Sequence, residues 1–243
     1  MPAILLRNFF TFVSLLRYLY ISSVARIFPT LDNERNMTSR RVKLASLIAT
    51  VVAVIVVTGF VLWTKSPTHL ANANPSAKAE LLKDWQAGEV VALVRHAERC
   101  DQSSNPCLGP ADGITRFGNE SSTAVGQHFM RLGMAQTDVL SSPATRTVQT
   151  SHAMFGTDPV SQEWLVTCGK TLRNDVVAHK QAHRNLVLVS HSGCIGDFLA
   201  DTGFPHAAKS EYGSSLFLRI DTNGQLQVLG IVNPEDWNAL QGK

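Results

Sequence analysis

Between Leu44 and Trp63 the chain runs for twenty residues without a charged side chain, and its small hydroxyl residues never gather into a polar face. A core helix of a soluble domain keeps such a face. At about 1.5 Å per residue a helix of this length spans roughly 30 Å, the hydrocarbon thickness of a bilayer. The pattern therefore predicts a transmembrane helix. Arg40, Arg41 and Lys43 precede it and only Lys65 follows closely, which keeps the N-terminus cytoplasmic and exports the remainder. Ahead of it, Ile4 to Phe28 is apolar but broken by Arg7, Arg17 and Arg26, too often to cross a bilayer. Two readings stand for that stretch: an interfacial amphipathic helix, or a chain that truly starts at Met37 with a basic n-region. Ala71-Asn72-Ala73 resembles a cleavage site but lies well past the apolar run, so an uncleaved anchor is expected, with a cleaved, soluble form as the alternative.

Beyond the anchor the pattern changes. Residues 64–87 are rich in Asn, Ala, Pro and Lys and read as a linker leading into a short helix near Leu81 to Trp85. Val90 to Val94 is an unbroken apolar run, as is most of Asn185 to Ser190; both read as strands buried on two faces. Asp138 to Ser142 and Val160 to Val166 are further candidate strands. Helices are expected after Gly118, with Val125, Phe129 and Leu132 on one face and Gly133 closing it, over Leu172 to Ala182, and over Gly196 to Ala200. Ser142 as cap and Pro143 at the first position would open another helix, with Arg146 in its first turn. Leu216 to Ile220 and Leu226 to Val232 flank Thr222-Asn223-Gly224 and read as a hairpin. The alternation of strands and helices predicts an α/β domain. Four segments result: a cytoplasmic 1–43, a signal anchor 44–63, a linker 64–87 and a catalytic domain 88–243.

Composition adds little to this picture except by exclusion. With 44% hydrophobic and 17% charged residues in 243, one sizeable core is available. A net charge of +3, with the basic residues scattered, argues against a nucleic-acid partner. Cys100, Cys107, Cys168 and Cys194 form no Cys-x-x-Cys, so zinc is a poor reading and no metal and no other cofactor is expected. Four cysteines beyond an export-like segment suggest disulfides. Of the three possible pairings, Cys100 with Cys107 is the local one, closing a turn-rich loop.

Candidate chemistry collects where strands end. The first buried strand runs straight into Arg95, His96, Glu98 and Arg99. Active-site groups of α/β proteins sit at the carboxyl ends of such strands. Guanidinium forks bind phosphate oxygens bidentately, and a neutral imidazole between them can attack phosphorus. Arg146 and His191 are delivered by two further strand ends. The six histidines outside these positions, His69, His128, His152, His179, His183 and His206, read as surface or structural groups.

These residues fall into ordered motifs. Arg95-His96-Ala97-Glu98 resembles the Arg-His-Gly motif of the histidine phosphatase superfamily. The segment from Ser141 to Thr150 is similar to its second arginine motif, and Val187 to Gly193 to its third, histidine-bearing one. The resemblance covers Val90 to about Leu199. It implies a three-layer α/β/α sandwich around a central, mostly parallel sheet. It makes His96 the nucleophile and Arg95, Arg146 and His191 its phosphate pocket, with Arg99 matching an additional arginine of the phytase-like members. A phosphohistidine would form and be hydrolysed, fixed cations supplying the electrostatics. A narrower likeness is to the exported lipopolysaccharide core heptose(II)-phosphate phosphatases. It rests on Arg99-Cys100-Asp101, Cys107-Leu108, Gly113-Ile114-Thr115, Leu165 to Gly169, and the cysteine after the second histidine. That likeness implies a periplasmic enzyme held to the inner membrane and acting on a phosphorylated sugar or lipopolysaccharide core. With Cys100 taken by Cys107, it leaves Cys168 with Cys194.

In one respect the chain departs from its likeness. Many superfamily members carry a glutamate general acid two residues after a leucine in the middle segment, but here Leu165 is followed by Val166 and Thr167. Glu98, Glu163 and Asp101 are the remaining candidates, and for Glu98 a salt bridge to Arg99 or Arg146 is the competing role. Two other functions share the motifs: a phosphoglycerate-mutase-like phosphotransferase and a non-catalytic phosphate-binding module.

Overall fold

The computed structural model describes residues 35–63, 66–221 and 223–242. The stretch expected as an interfacial helix, Ile4 to Phe28, lies outside the described residues. The chain divides into two compact units, the first ending at Phe60 and the second beginning at Val61.

One helix, α1 (Arg35–Trp63), carries the apolar run. Its segment Val42–Phe60 has a mean hydropathy of 2.3 and buries none of its residues, so it is long and apolar enough to cross a membrane. Within it the Thr50 hydroxyl is satisfied locally, donating to the carbonyl of Ser46 at 2.9 Å.

The second unit is a six-stranded sheet with helices on both faces. In chain order it comprises α2 (Pro75–Ala87), β1 (Val90–Arg95), α3 (Arg116–Leu132), β2 (Thr137–Ser141), α4 (Thr145–Phe155), β3 (Val160–Ser161) and α5 (Trp164–Thr167). There follow α6 (Leu172–His179), β4 (Asn185–Ser190), α7 (Ser192–Asp201), β5 (Ser215–Ile220), β6 (Leu226–Val232) and α8 (Trp237–Leu240). The strand order is β3-β2-β4-β1-β5-β6. Strands β1 to β4 run parallel, β5 is antiparallel to β1, and β6 returns alongside β5. The expected three-layer sandwich is therefore present.

Two cores follow from the period of two along each strand. Val90, Ala92 and Val94 face one side with Val187, Val189 and Phe217, where they meet Trp85, Val125, Phe129, Met154 and Trp237. Val91 and Leu93 face the other side, against Leu165, Leu172, Val176, Ile195 and Phe198. Both faces being covered explains why β1 and β4 read as unbroken apolar runs. On the first face α3 and α4 approach so closely that a Cβ on Gly126 would lie 2.0 Å from the Met154 carbonyl oxygen.

Several boundaries differ from expectation. Of the segment expected as a linker, 64–87, the described residues from Thr68 onward are part of the domain: Leu70, Leu81 and Trp85 are core residues, and Ile231 N–H donates to the Thr68 carbonyl at 2.9 Å. Asn74 caps α2 by accepting from Ala77 N–H, Pro75 opens it, and Gly88 at φ +72° closes it. The strand expected over Val160 to Val166 stops at Ser161, because its partner β2 ends at Ser141; Trp164 and Leu165 then turn inward as a single helical turn. Helix α6 ends at His179 rather than Ala182, and α7 begins at Ser192 rather than Gly196.

Candidate active site

The parallel register of β1 with β4 pairs Arg95 with Ser190, and the ladder continues as His96 N–H donates to the Ser190 carbonyl at 2.9 Å. His96 and His191 therefore leave the sheet side by side. Beyond β1 the chain turns to α3 on one face, and beyond β4 to α7 on the other. A crevice opens where such connections diverge. The two imidazoles stand there with ring centroids 5.4 Å apart.

Hydrogen bonding assigns their tautomers. His96 Nδ1 lies 2.8 Å from the Ala97 carbonyl, which can only accept, so Nδ1 carries the proton and Nε2 keeps its lone pair. At His191 the logic reverses. Arg146 Nη2 lies 3.2 Å from Nδ1 and can only donate, which leaves Nε2–H to donate to the Ser142 hydroxyl at 2.9 Å. Burial pushes the His96 pKa down to about 3, helped by His191, Arg146 and Arg95. Burial likewise pushes His191 down to about 4, with Arg146 and Arg99 adding to it. Both rings are neutral at physiological pH.

Around them stand the arginines. Arg95 is buried, donates to the Ser210 carbonyl, and lies 3.7 Å over the Tyr212 ring. Arg146 enters from the first turn of α4. The Nε of Arg95 and that of Arg146 are buried with no hydrogen-bond partner among the described residues. Buried donors seldom go unpaired, and a guanidinium without an acceptor is a prepared anion site. Arg99 sits near both, its field lowering the pKa of Arg146 and His191, and is held by an ion pair with Asp101.

The remaining sequence candidates resolve differently. Glu98 Oε2 accepts from Asn105 Nδ2 at 2.9 Å and from the Thr115 hydroxyl at 2.6 Å, while Thr115 in turn caps α3. Burial alone would raise its pKa, but hydrogen bonds from Asn105, Thr115 and Ser103 outweigh that and hold it below the usual glutamate value. A carboxylate kept ionised is a poor proton donor. The hydrogen bond from Arg99 lowers the pKa of Asp101 too, and Glu163 is exposed beside the short α5. No salt bridge joins Glu98 to Arg99 or Arg146 among the described residues.

Both disulfides are formed, Cys100–Cys107 and Cys168–Cys194. The first closes the loop that follows Arg99, and the second ties the turn after α5 to the first turn of α7, directly after His191. Ser142 does not cap α4; Ala144 occupies that position, and the serine hydroxyl serves His191 instead. Thr150 joins two motifs, accepting from Ala97 N–H at 2.9 Å while donating to the Arg146 carbonyl at 2.7 Å. Nothing local in the sequence marks Tyr212; its place over Arg95 arises only when the segment before β5 returns to the end of β1.

Comparison with known proteins bears on this arrangement. The chain is 30% identical over 155 residues to the lipopolysaccharide core heptose(II)-phosphate phosphatase of Salmonella newport (strain SL254), covering 63% of this chain and 74% of that protein. With the protein of the same name from Escherichia fergusonii the figures are 30% over 141 residues, 56% and 71%. No family model matches. Among solved structures, the protein histidine phosphatase SixA complexed with tungstate aligns at 16% identity and a TM-score of 0.48, covering 60% of this chain and 98% of that one.

Proposed function

This chain belongs to the lipopolysaccharide core heptose(II)-phosphate phosphatase family, and from that membership we propose that it is a phosphomonoesterase of the bacterial envelope, working by the histidine phosphatase mechanism that its motifs resemble. Its substrate is a phosphorylated sugar, the lipopolysaccharide core heptose foremost. The observation that carries this reading is the pair of unpartnered, buried Nε–H groups of Arg95 and Arg146 beside a neutral His96 whose Nε2 is unprotonated. A dianion fits that arrangement, and a nucleophile is already in its reactive form.

His96 Nε2 attacks phosphorus in line; the P–N bond forms as the ester P–O bond breaks, and the sugar oxygen takes up a proton from water in the open cleft. Arg95, Arg146 and Arg99 hold the equatorial oxygens, and the dianion favours protonation of His191, which then donates to it. Water attacks the phosphohistidine, releasing inorganic phosphate and restoring the imidazole. The apolar helix Val42–Phe60 supports an inner-membrane anchor, and two disulfides suit a domain on the oxidising, periplasmic side.

The test is hydrolysis of a generic aryl phosphate by the wild type and by His96→Ala, with circular dichroism to confirm folding. Activity in the wild type that survives chelator, and its loss in a folded variant, is expected. A folded His96→Ala protein with full turnover would overturn the mechanism.

A further inference from the structure

Beside the phosphate pocket opens a cleft of about 660 Å³, lined by Arg95, Glu98, Phe117, Glu211, Tyr212 and Glu235. Small-molecule sites occupy roughly 300–1,000 Å³, so the size suits a ligand. Four separate segments build it: the end of β1 with the residues after it, the start of α3, the loop before β5, and the turn after β6. Two residues join it to the reacting centre. Arg95, buried and with an unpartnered Nε, belongs to both spaces, and the Tyr212 ring that lies over it is 5.7 Å from the His96 ring. On the opposite character stands Phe117, 60% exposed on the first turn of α3.

We infer that this cleft is the leaving-group subsite, and that it takes a neutral or aminated sugar ring while rejecting a ring that itself carries a second anion. The inference rests on the phosphatase reading above and extends it to specificity. A sugar ring has apolar C–H faces and outward hydroxyl donors. An exposed phenyl face matches the former, and carboxylates accept from the latter in charge-assisted bonds. The charge distribution supplies the selection. Arginines surround the phosphate, whereas Glu98, Glu211 and Glu235 line the cleft, so the sign of the field reverses across Arg95. A monophosphate sugar lies along that gradient with its anion at His96 and its ring over Phe117. A second phosphate or a carboxylate on the ring would face three carboxylates, and like charges brought together oppose binding.

The test compares kcat/KM for glucose 6-phosphate with that for glucose 1,6-bisphosphate at low ionic strength, in the full-length protein and in the Glu211→Gln/Glu235→Gln double variant. Each rim carboxylate is worth a few-fold in rate, so the wild type should favour the monophosphate by about tenfold and the double variant by no more than about threefold. Phe117→Ala should raise KM for glucose 6-phosphate several-fold while kcat changes less. Equal rates on the two sugars in the wild type, or an undiminished preference in the double variant, would overturn the assignment. Should the wild type hydrolyse neither sugar nor aryl phosphate, the phosphatase reading itself fails. The cleft is then judged by calorimetric titration of His96→Ala protein: tighter binding of the monophosphate supports it, and equal or absent binding of both sugars refutes it.

Discussion

Glu98→Gln separates two roles that a carboxylate two residues from the nucleophile could play. Its Oε2 receives two hydrogen bonds, from Asn105 at 2.9 Å and from Thr115 at 2.6 Å. Hydrogen bonds to an ionised group contribute about 1.5–3 kcal/mol each, roughly twice a neutral pair. An amide oxygen retains the geometry and loses the charge, which would forfeit about 2 kcal/mol in a dry interior. Glu98 is only half-buried at a loop surface, and solvent screening reduces the loss to about 1 kcal/mol. For a domain of this size that lowers Tm by about 2–4 °C. Because Glu98 anchors the start of α3 and the loop carrying Arg99, turnover should fall a few-fold, with the preference between leaving groups moving by no more than the few-fold that one cleft carboxylate is worth. A general acid behaves otherwise. Its loss costs about 10²–10⁴-fold with an alkyl leaving group and little with a nitrophenolate, which departs unprotonated. The assay is therefore kcat/KM for 4-nitrophenyl phosphate and for a sugar phosphate, side by side. A ratio of the two that shifts a hundredfold in the variant would refute the anchoring role.

Three further outcomes are expected. Both His96 and His191 have folded pKa values, about 3 and about 4, below the ordinary 6.5, so the unfolded chain binds more protons in the acid range. Stability from these groups is fully present above about pH 6.5 and is lost as pH falls toward 4 and 3; thermal melts of the wild type should decline over that window more steeply than those of a folded His96→Ala/His191→Ala variant. Cys100→Ser/Cys107→Ser releases an eight-residue loop and should cost roughly 2.5 kcal/mol, with turnover falling under mild reductant before global unfolding; unchanged activity in reduced, folded protein would contradict the part assigned to the bridge in holding Arg99. In a Gram-negative host the domain after residue 75 should be cleaved by protease added to spheroplasts and should sediment with membranes, and its protection there would exclude the proposed topology.

Much of this molecule was legible without its fold. Continuous apolar runs at 90–94 and 185–190 announced central strands, since a strand covered on both faces has no polar register to keep. The uncharged twenty-residue run of α1, the hairpin around Asn223-Gly224 and the helix closed by Gly133 were equally local in origin. His96, Arg95, Arg146 and His191 could be named because each follows a strand end within a short ordered motif. What the sequence could not decide depends on which distant segments meet. The turn at Trp164 exists because β2 offers no partner beyond Ser141, and residues 64–87 read as a linker because their large apolar side chains are few, though Leu70, Leu81 and Trp85 fill one core. Tautomers belong to the same class: His96 and His191 are identical in composition, and only a carbonyl beside one and a guanidinium beside the other give them opposite protonated nitrogens. Local sequence determined what each segment could become; contacts between segments far apart in the chain, which no local pattern encodes, decided the charge state and orientation of the groups at their meeting point.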